Sequence, residues 1–342
     1  MPRMKQKEVG GSFALHSHRP PPMTFARKKQ VNMPESLAVS ARRRKMQKRL
    51  TVLAFLSLWL IGFGMLFVYA IGQTLWYSFT NFNFMNKMKW IGLANYAYLI
   101  VSDGVFWQSL GNTGFIIAIV VPSILVLSFL FALLVRTKSA LNGFASIAYF
   151  LPFVIPLAAT GLVWRWMFNG EYGVINYVLG LLHVPGPDWL LNSALVKPAI
   201  AIAETTLIGQ YFIIFVAALQ DVPIEFYEAA ELDGASGFRR MWSVTLPMIS
   251  PAFYFNLVTC FIAEFQIFDM PWVMTLSGGG QTNAGGGPGY SSTTFSLYMY
   301  VKMFQEYDAG TASAMAMISL VLVLGISIAM IRASTRFVTY ER

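Results

Sequence analysis

The chain has 342 residues, of which 56% are hydrophobic and only 12% charged, with 25 Lys and Arg against 16 Asp and Glu. A soluble domain carries about 25% charged residues, so too little polar surface is present here to cover a globule in water, and a water-soluble protein is excluded. The formal charge of +9 does not point to nucleic acid, because the basic residues flank apolar runs instead of lining one polar face.

From the amino terminus, residues 1–48 read as a disordered basic cytoplasmic tail, rich in Pro, Ser, Lys and Arg, with no sustained apolar period. The first 50 residues hold 13 Lys or Arg, including the run Arg42, Arg43, Arg44, Lys45, Lys48, Arg49. Such a cluster beside an apolar run sets orientation and meets anionic headgroups. The apolar run begins only after Arg49 and is too long for a cleavable signal peptide.

Residues 49–335 read as a transmembrane domain. Apolar runs at about 51–72, 113–135, 144–168, 199–220, 249–272 and 311–332 are each long enough to cross a hydrocarbon core roughly 30 Å thick. The expected fold class is therefore all-α integral membrane, a polytopic bundle of about six spans, followed by a short cytoplasmic end at 336–342. Prolines and glycines inside the runs (Pro122, Pro152, Pro156, Gly161) are tolerated because neighbouring helices re-satisfy freed backbone groups. Cys260 stands alone in an apolar run, which leaves no disulfide or cysteine metal cluster and suits a small buried filler.

With the amino terminus inside, 20 basic residues fall on inner segments and 5 on outer ones; without the tail the count is still 7 against 5. The positive-inside rule then places both termini in the cytoplasm of a plasma or inner membrane. Segments 73–112, 169–198 and 273–310 face out, and 136–143 and 221–248 face in. The Gly-rich stretch 277–290 has no GxxxxGK[ST] pattern and reads as a flexible linker.

The inner loop 221–248 reads as two short helices and a turn. Pro223 suits a first helical turn, Glu225 and Glu228 oppose the helix dipole there, and Gly234 can take the left-handed conformation that ends a helix. Ser236 can cap a second helix through Phe238 to Ser243, and Pro247 marks the start of the fifth span. Phe226, Tyr227, Leu232, Phe238 and Trp242 offer more apolar surface than a free cytosolic loop exposes, as at an interaction site. A helix pair lying on the bilayer would share this pattern.

The string Glu228-Ala229-Ala230-x3-Gly234-x9-Val244-x-Leu246-Pro247 closely resembles the EAA motif of binding-protein-dependent ABC importer permeases. The resemblance covers roughly residues 50–335. Trp90-Ile-Gly-Leu-x-Asn95-Tyr96, Trp164-x3-Phe168-x4-Gly173-x2-Asn176, Phe215-x-Ala217-Ala218-Leu219-Gln220-x2-Pro223 and Asp233-Gly234-Ala235-Ser236 look like the carbohydrate-uptake (MalF-like) members. The basic tail and the Gly-rich insertion before Thr293 depart from them. What the resemblance implies is a permease subunit that translocates a sugar by alternating access. It would pair with a second, different permease subunit, two ATPase subunits and an extracytoplasmic solute-binding protein. The chain itself would be no enzyme and hold no cofactor, ATP and Mg being used by the partner ATPase. Glu228, Ala229, Ala230, Asp233, Gly234, Leu246 and Pro247 would couple to that ATPase.

Charged and polar groups inside spans are costly and face a cavity or a partner. Glu204, Glu264 and Asp269, with Gln210, Gln266, Phe268 and Arg165, form the candidate sugar pathway. Two other readings belong to these residues. Arg165 could pair with Glu204 or Glu264 as an internal bridge, and the stripe Phe261, Phe265, Phe268, Trp272 could be packing. The alternative function is a secondary transporter or channel acting without an ATPase. An integral-membrane enzyme is the weaker rival, since His16, His18 and His183 do not cluster along the chain.

Overall fold

The computed structural model describes residues 35–136, 139–276 and 286–334. Their regular secondary structure is helical, with one isolated bridge between Thr80 and Trp90. The chain divides into two units, Met1–Gly64 and Met65–Arg342. In the first, helix α1 (Glu35–Phe63) begins ahead of the boundary expected at 48, so residues 35–48 belong to that helix. Residues 1–34 of the expected tail, and the expected end 336–342, lie outside the described residues.

The second unit opens with α2 (Tyr69–Ser78), the short α3 (Ala94–Ala97) and the long α4 (Gly104–Val135). Along α4 the buried positions Ser109, Thr113, Ile116, Val120, Ile124, Ser128 and Ala132 recur every three or four residues, which marks one packed stripe. Against α4 lie α8 (Val196–Thr205) and α9 (Gly209–Asp221), after α5 (Ala140–Val154), α6 (Leu157–Met167) and α7 (Val174–Leu181). Phe212 and Phe215 of α9 are fully buried, and the Phe215 ring meets Phe129 of α4 edge-on at 5.6 Å. Between helices in lipid such contacts hold by van der Waals fit, since the tails are as apolar as the side chains.

The inner loop comprises α10 (Ile224–Leu232), α11 (Gly237–Arg240) and α12 (Leu246–Met248). After it come α13 (Ser250–Phe265), α14 (Asp269–Thr275), α15 (Phe295–Tyr300) and α16 (Ala309–Ser334). By length and composition Arg44–Ser78, Gly104–Val135 and Ala309–Ser334 can each cross a membrane, and six spans result if each bent helix pair is one. The expected span 144–168 is broken at Pro156 and bends by 96° between α5 and α6. Ile155 is extended there (ψ 137°), as a following proline requires. The expected span 199–220 bends by 41° at Thr206–Ile208. The run 249–272 is interrupted between Phe265 and Asp269. Thr294 closes part of that last break by donating its hydroxyl to the Ile267 carbonyl (2.9 Å), the kind of re-satisfaction that lets a span break inside a bundle.

Gly310, at the head of α16, donates its N–H to the Phe82 carbonyl (2.8 Å). A side chain there would collide with the Thr80 carbonyl and crowd the Asn95 amide nitrogen at 3.2 Å. That amide already donates to Ser78 and Thr80 carbonyls, both at 2.9 Å. Gly310→Ala is therefore expected to cost about 1–3 kcal/mol, the range for overpacking a close-packed site. A thermal unfolding midpoint in detergent equal to wild type would contradict the close approach.

Of the expected flexible linker 277–290, residues 277–285 lie outside the described residues. From Gly286 onward the expectation fails. Gly286 donates to Thr275 Oγ1 (2.6 Å), Gln108 Nε2 donates to the Gly289 carbonyl, and Asn112 Nδ2 donates to the Tyr290 and Thr293 carbonyls, each at 2.9 Å. The positive φ of Gly286, Gly287 and Gly289 explains the glycines as backbone turns and not as looseness.

Candidate functional site

The inner loop has the local structure that its residues predict. Helix α10 ends on Gly234, at φ +73°, with the Ala235 N–H on the Ala230 carbonyl (2.9 Å) and the Gly234 N–H on the Glu231 carbonyl (3.0 Å). Ser236 caps the second helix by accepting from the Arg239 N–H (3.4 Å). That helix does not stop at Ser243 or at Pro247. It runs through a wider turn at Met241–Thr245 to Met248, with Pro247 in its last turn, and then bends by 65° into α13.

Glu228, Ala229, Asp233 and Gly234 are exposed, Ala230 is half-buried, and no atom lies within 4 Å of where a Gly234 side chain would begin. Leu246 and Pro247 are half-buried at the base, with Leu246 against the main core. Leu232, Phe238 and Trp242 are 90%, 76% and 62% exposed. Tyr227 is half-buried instead. Its hydroxyl meets Thr245 Oγ1 at 3.1 Å, and the Arg136 guanidinium lies 5.9 Å above its ring. The Arg240–Glu231 pair (2.9 Å) closes the turn between the two helices. These fasteners were missed from the sequence, where only opposite charges on two successive short helices signal them.

The intramembrane candidates converge more closely than spacing could show. Glu204, Gln210, Glu264, Gln266, Phe268 and Asp269 line one cavity of about 280 Å³. It opens at the α8–α9 and α13–α14 breaks. Glu204 and Glu264 are each 6% exposed, Glu204 lies within electrostatic range of both Glu264 and Asp269, and Glu264 Oε2 has no hydrogen-bond partner. Arg165 does not join them. It lines a separate small cavity with Asn169, Asp188 and Trp189, and among the described residues no ion pair links it to Glu204 or Glu264. The alternative reading of an internal bridge is therefore not met; after the 96° turn that follows α5, α6 packs on α14.

The aromatic stripe also divides. Phe261 and Phe265 belong to the core with Phe295, whereas Phe268 and Trp272 meet the Tyr300 ring, tilted at 5.0 Å and edge-on at 5.1 Å. A second cavity of about 550 Å³ is lined by Gln266, Phe268, Ser296, Tyr300, Phe304 and Ser313, among others. Gln266 and Phe268 thus serve both cavities, and hydroxyls beside aromatic faces are present that the sequence reading had missed.

In the outer segment, Asp103 caps α4 through the Val105 and Phe106 N–H groups (3.0 and 3.1 Å) and accepts from the Tyr298 hydroxyl (2.6 Å). Lys302 Nζ lies 2.8 Å from Glu306 and 3.8 Å from Asp103. Burial alone would lower the Lys302 pKa, but the Glu306 hydrogen bond and charge, with Tyr98 and Asp103, outweigh it and hold the ammonium above its ordinary value. Burial, then the Asp103 hydrogen bond, likewise hold the Tyr298 phenol above its ordinary value.

Residues 115–336 match the family described as the inner membrane component of binding-protein-dependent transport systems. The chain is 30% identical over 270 residues to a sulfoquinovosyl glycerol transport system permease protein of Agrobacterium fabrum, covering 78% of this chain and 84% of that one. It is 29% identical over 261 residues to a trehalose/maltose transport system permease protein of Thermococcus litoralis, covering 76% and 85%. A solved bacterial ABC transporter that imports the acidic polysaccharide alginate shares the fold, with a TM-score of 0.71 at 20% identity over 87% of this chain and 100% of that one. These comparisons support the binding-protein-dependent reading and not a secondary transporter or channel. The chain is a multi-pass membrane protein and belongs to the family of inner membrane components of binding-protein-dependent transport systems.

Proposed function

We propose that the chain is one of two permease subunits through which a sugar crosses the membrane, driven by separate ATPase subunits that use ATP and Mg. The observation that carries this is the inner loop, whose exposed Leu232, Phe238 and Trp242 stand beside the open approach at Gly234. An apolar patch of that kind on a cytosolic loop marks a protein contact. Glu228, Ala229, Ala230, Asp233, Gly234, Leu246 and Pro247 form the docking helices and their hinge. Both termini lie in the cytoplasm, as the basic residues favour, and an extracytoplasmic solute-binding protein delivers the cargo. Rocking of the two permease halves then exposes the site between the breaks to alternate sides. Within this chain Glu204, Gln210, Glu264, Gln266, Phe268 and Asp269 supply that site, and Arg165 stands outside it. The test is affinity purification of the chain from mild detergent, with identification of co-purifying chains. An ATPase and a second permease are expected, and recovery without any ATPase would sink the reading.

A further inference from the structure

Helix α7 is fastened on one side and bare on the other. Asn176 donates its amide to the Gly170 and Pro187 carbonyls (2.9 and 3.1 Å) and accepts from the Trp189 indole (2.7 Å). A side chain at Gly186 would collide with that amide, and Ile175 packs on the main core. These contacts fix the rotation of the helix about its own axis. The face turned away from them carries Val174, Tyr177, Val178 and Leu181, spaced i, i+3, i+4 and i+7. Tyr177 and Leu181 are 68% and 62% exposed, and Leu182 just beyond the helix is 68% exposed. No Lys, Arg, Asp or Glu occurs from Tyr172 to Pro187. An apolar stripe held outward in this way marks a surface that something covers.

We propose that α7 lies on the bilayer as an interfacial helix, its bare stripe in the boundary between lipid headgroups and acyl chains and its fastened face on the protein. Only residues 168–173 join α7 to the membrane helix α6, a reach of at most about 20 Å, which ties the stripe close to the lipid. Bare apolar surface stands at both ends of that connection, because Leu162, Val163 and Trp166 of α6 are exposed as well. Tyr172 and Tyr177 are exposed beside the stripe, and phenol rings concentrate where acyl chains meet water. A water-soluble binding protein would suit the stripe less well. Such a protein comes and goes, and a stripe kept for it would face water in every cycle, whereas lipid covers it throughout. An interfacial helix ordinarily turns a charged face to water. Here the protein itself takes that side, which accounts for the missing Lys and Arg. Neither the cargo nor the ATPase of the importer reading enters into this.

The test is nitroxide accessibility in the full chain, together with the subunits that co-purify with it, in vesicles of phosphatidylcholine and phosphatidylglycerol. Cys260 is the chain's one cysteine. It is removed in Cys260→Ser, and the signal of that variant alone is subtracted. Nitroxides are then attached through Val178→Cys and Leu181→Cys on the stripe, Leu179→Cys on the half-buried side, and Lys87→Cys in an exposed charged turn. Molecular oxygen concentrates among acyl chains and a neutral nickel chelate in water. At Val178→Cys and Leu181→Cys the ratio of oxygen to nickel collisions is expected to be several-fold higher than at Lys87→Cys, while both collision rates stay low at Leu179→Cys. Nickel collisions as frequent on the stripe as at Lys87→Cys would show it facing water. Low rates of both on the stripe, as at Leu179→Cys, would show a protein surface covering it. Either result would overturn the proposal and leave the importer reading untouched. The exposed Leu182→Cys supplies a further stripe position if one of the others does not assemble.

Discussion

Gly234→Val is expected to reduce ATP-driven uptake by at least about tenfold, because losing roughly 1.4 kcal/mol of docking is already a factor of ten, while the chain still reaches the membrane. Gly234 sits at φ +73°, a conformation that costs an ordinary L-residue about 1–2 kcal/mol and a β-branched one more. The Ala235 to Ala230 and Gly234 to Glu231 hydrogen bonds depend on that conformation to end α10. Relieving the strain would re-aim α11 and with it Phe238 and Trp242. The new side chain would also enter space that is empty in this chain and that the proposed docking assigns to the partner. No buried contact of the membrane core is touched, so insertion should survive. Gly234→Ala, with a smaller side chain at the same backbone angle, should lie between. Wild-type uptake by Gly234→Val would be incompatible with docking at this turn.

Replacing Asp103 by alanine should destabilise the folded chain by about 3–5 kcal/mol, the range for removing one member of a buried charged pair. The carboxylate has three tasks: it caps α4, accepts the Tyr298 hydroxyl and faces Lys302 at 3.8 Å. The Lys302 side chain is only 6% exposed and would keep Glu306 alone. Asp103→Asn keeps an acceptor for the cap and loses the charge, so its midpoint should fall between wild type and Asp103→Ala. Thermal unfolding of the detergent-solubilised protein measures the order. If alanine and asparagine behaved alike, the cap and the neutral hydrogen bonds would contribute nothing.

Much of the inner loop was legible because its signals are local. Pro223 precedes α10, Gly234 ends it and Ser236 caps the next helix, and each of these acts on backbone groups within a few residues. Its second helix runs past the expected end at Ser243, through the wider turn at Met241–Thr245 to Met248, so that Pro247 lies in its last turn just before the bend into α13. Of the intramembrane candidates, six of the seven were brought to one cavity. Charge inside an apolar run is an expensive exception with few places to go. Arg165 lines a separate cavity beyond a bend of 96° at Pro156, and no spacing rule supplies the size of a bend. Lys302 had read only as one more outer charge, since its burial depends on Asp103, some 200 residues away, and on the rings of Tyr98 and Tyr298.

Composition alone determined that the chain lives in a membrane, because a chain with 12% charged residues cannot cover itself in water. Local pattern alone determined the helix–turn–helix of the inner loop, because caps and a left-handed glycine act within one or two turns. The breaks in three expected spans, the pinning of the glycines from Gly286 onward and the meeting of Glu204, Glu264 and Asp269 were decided only by the tertiary structure. Those features depend on which backbone groups a neighbouring helix can re-satisfy, as Thr294 does for Ile267, and on the direction a helix takes after each break.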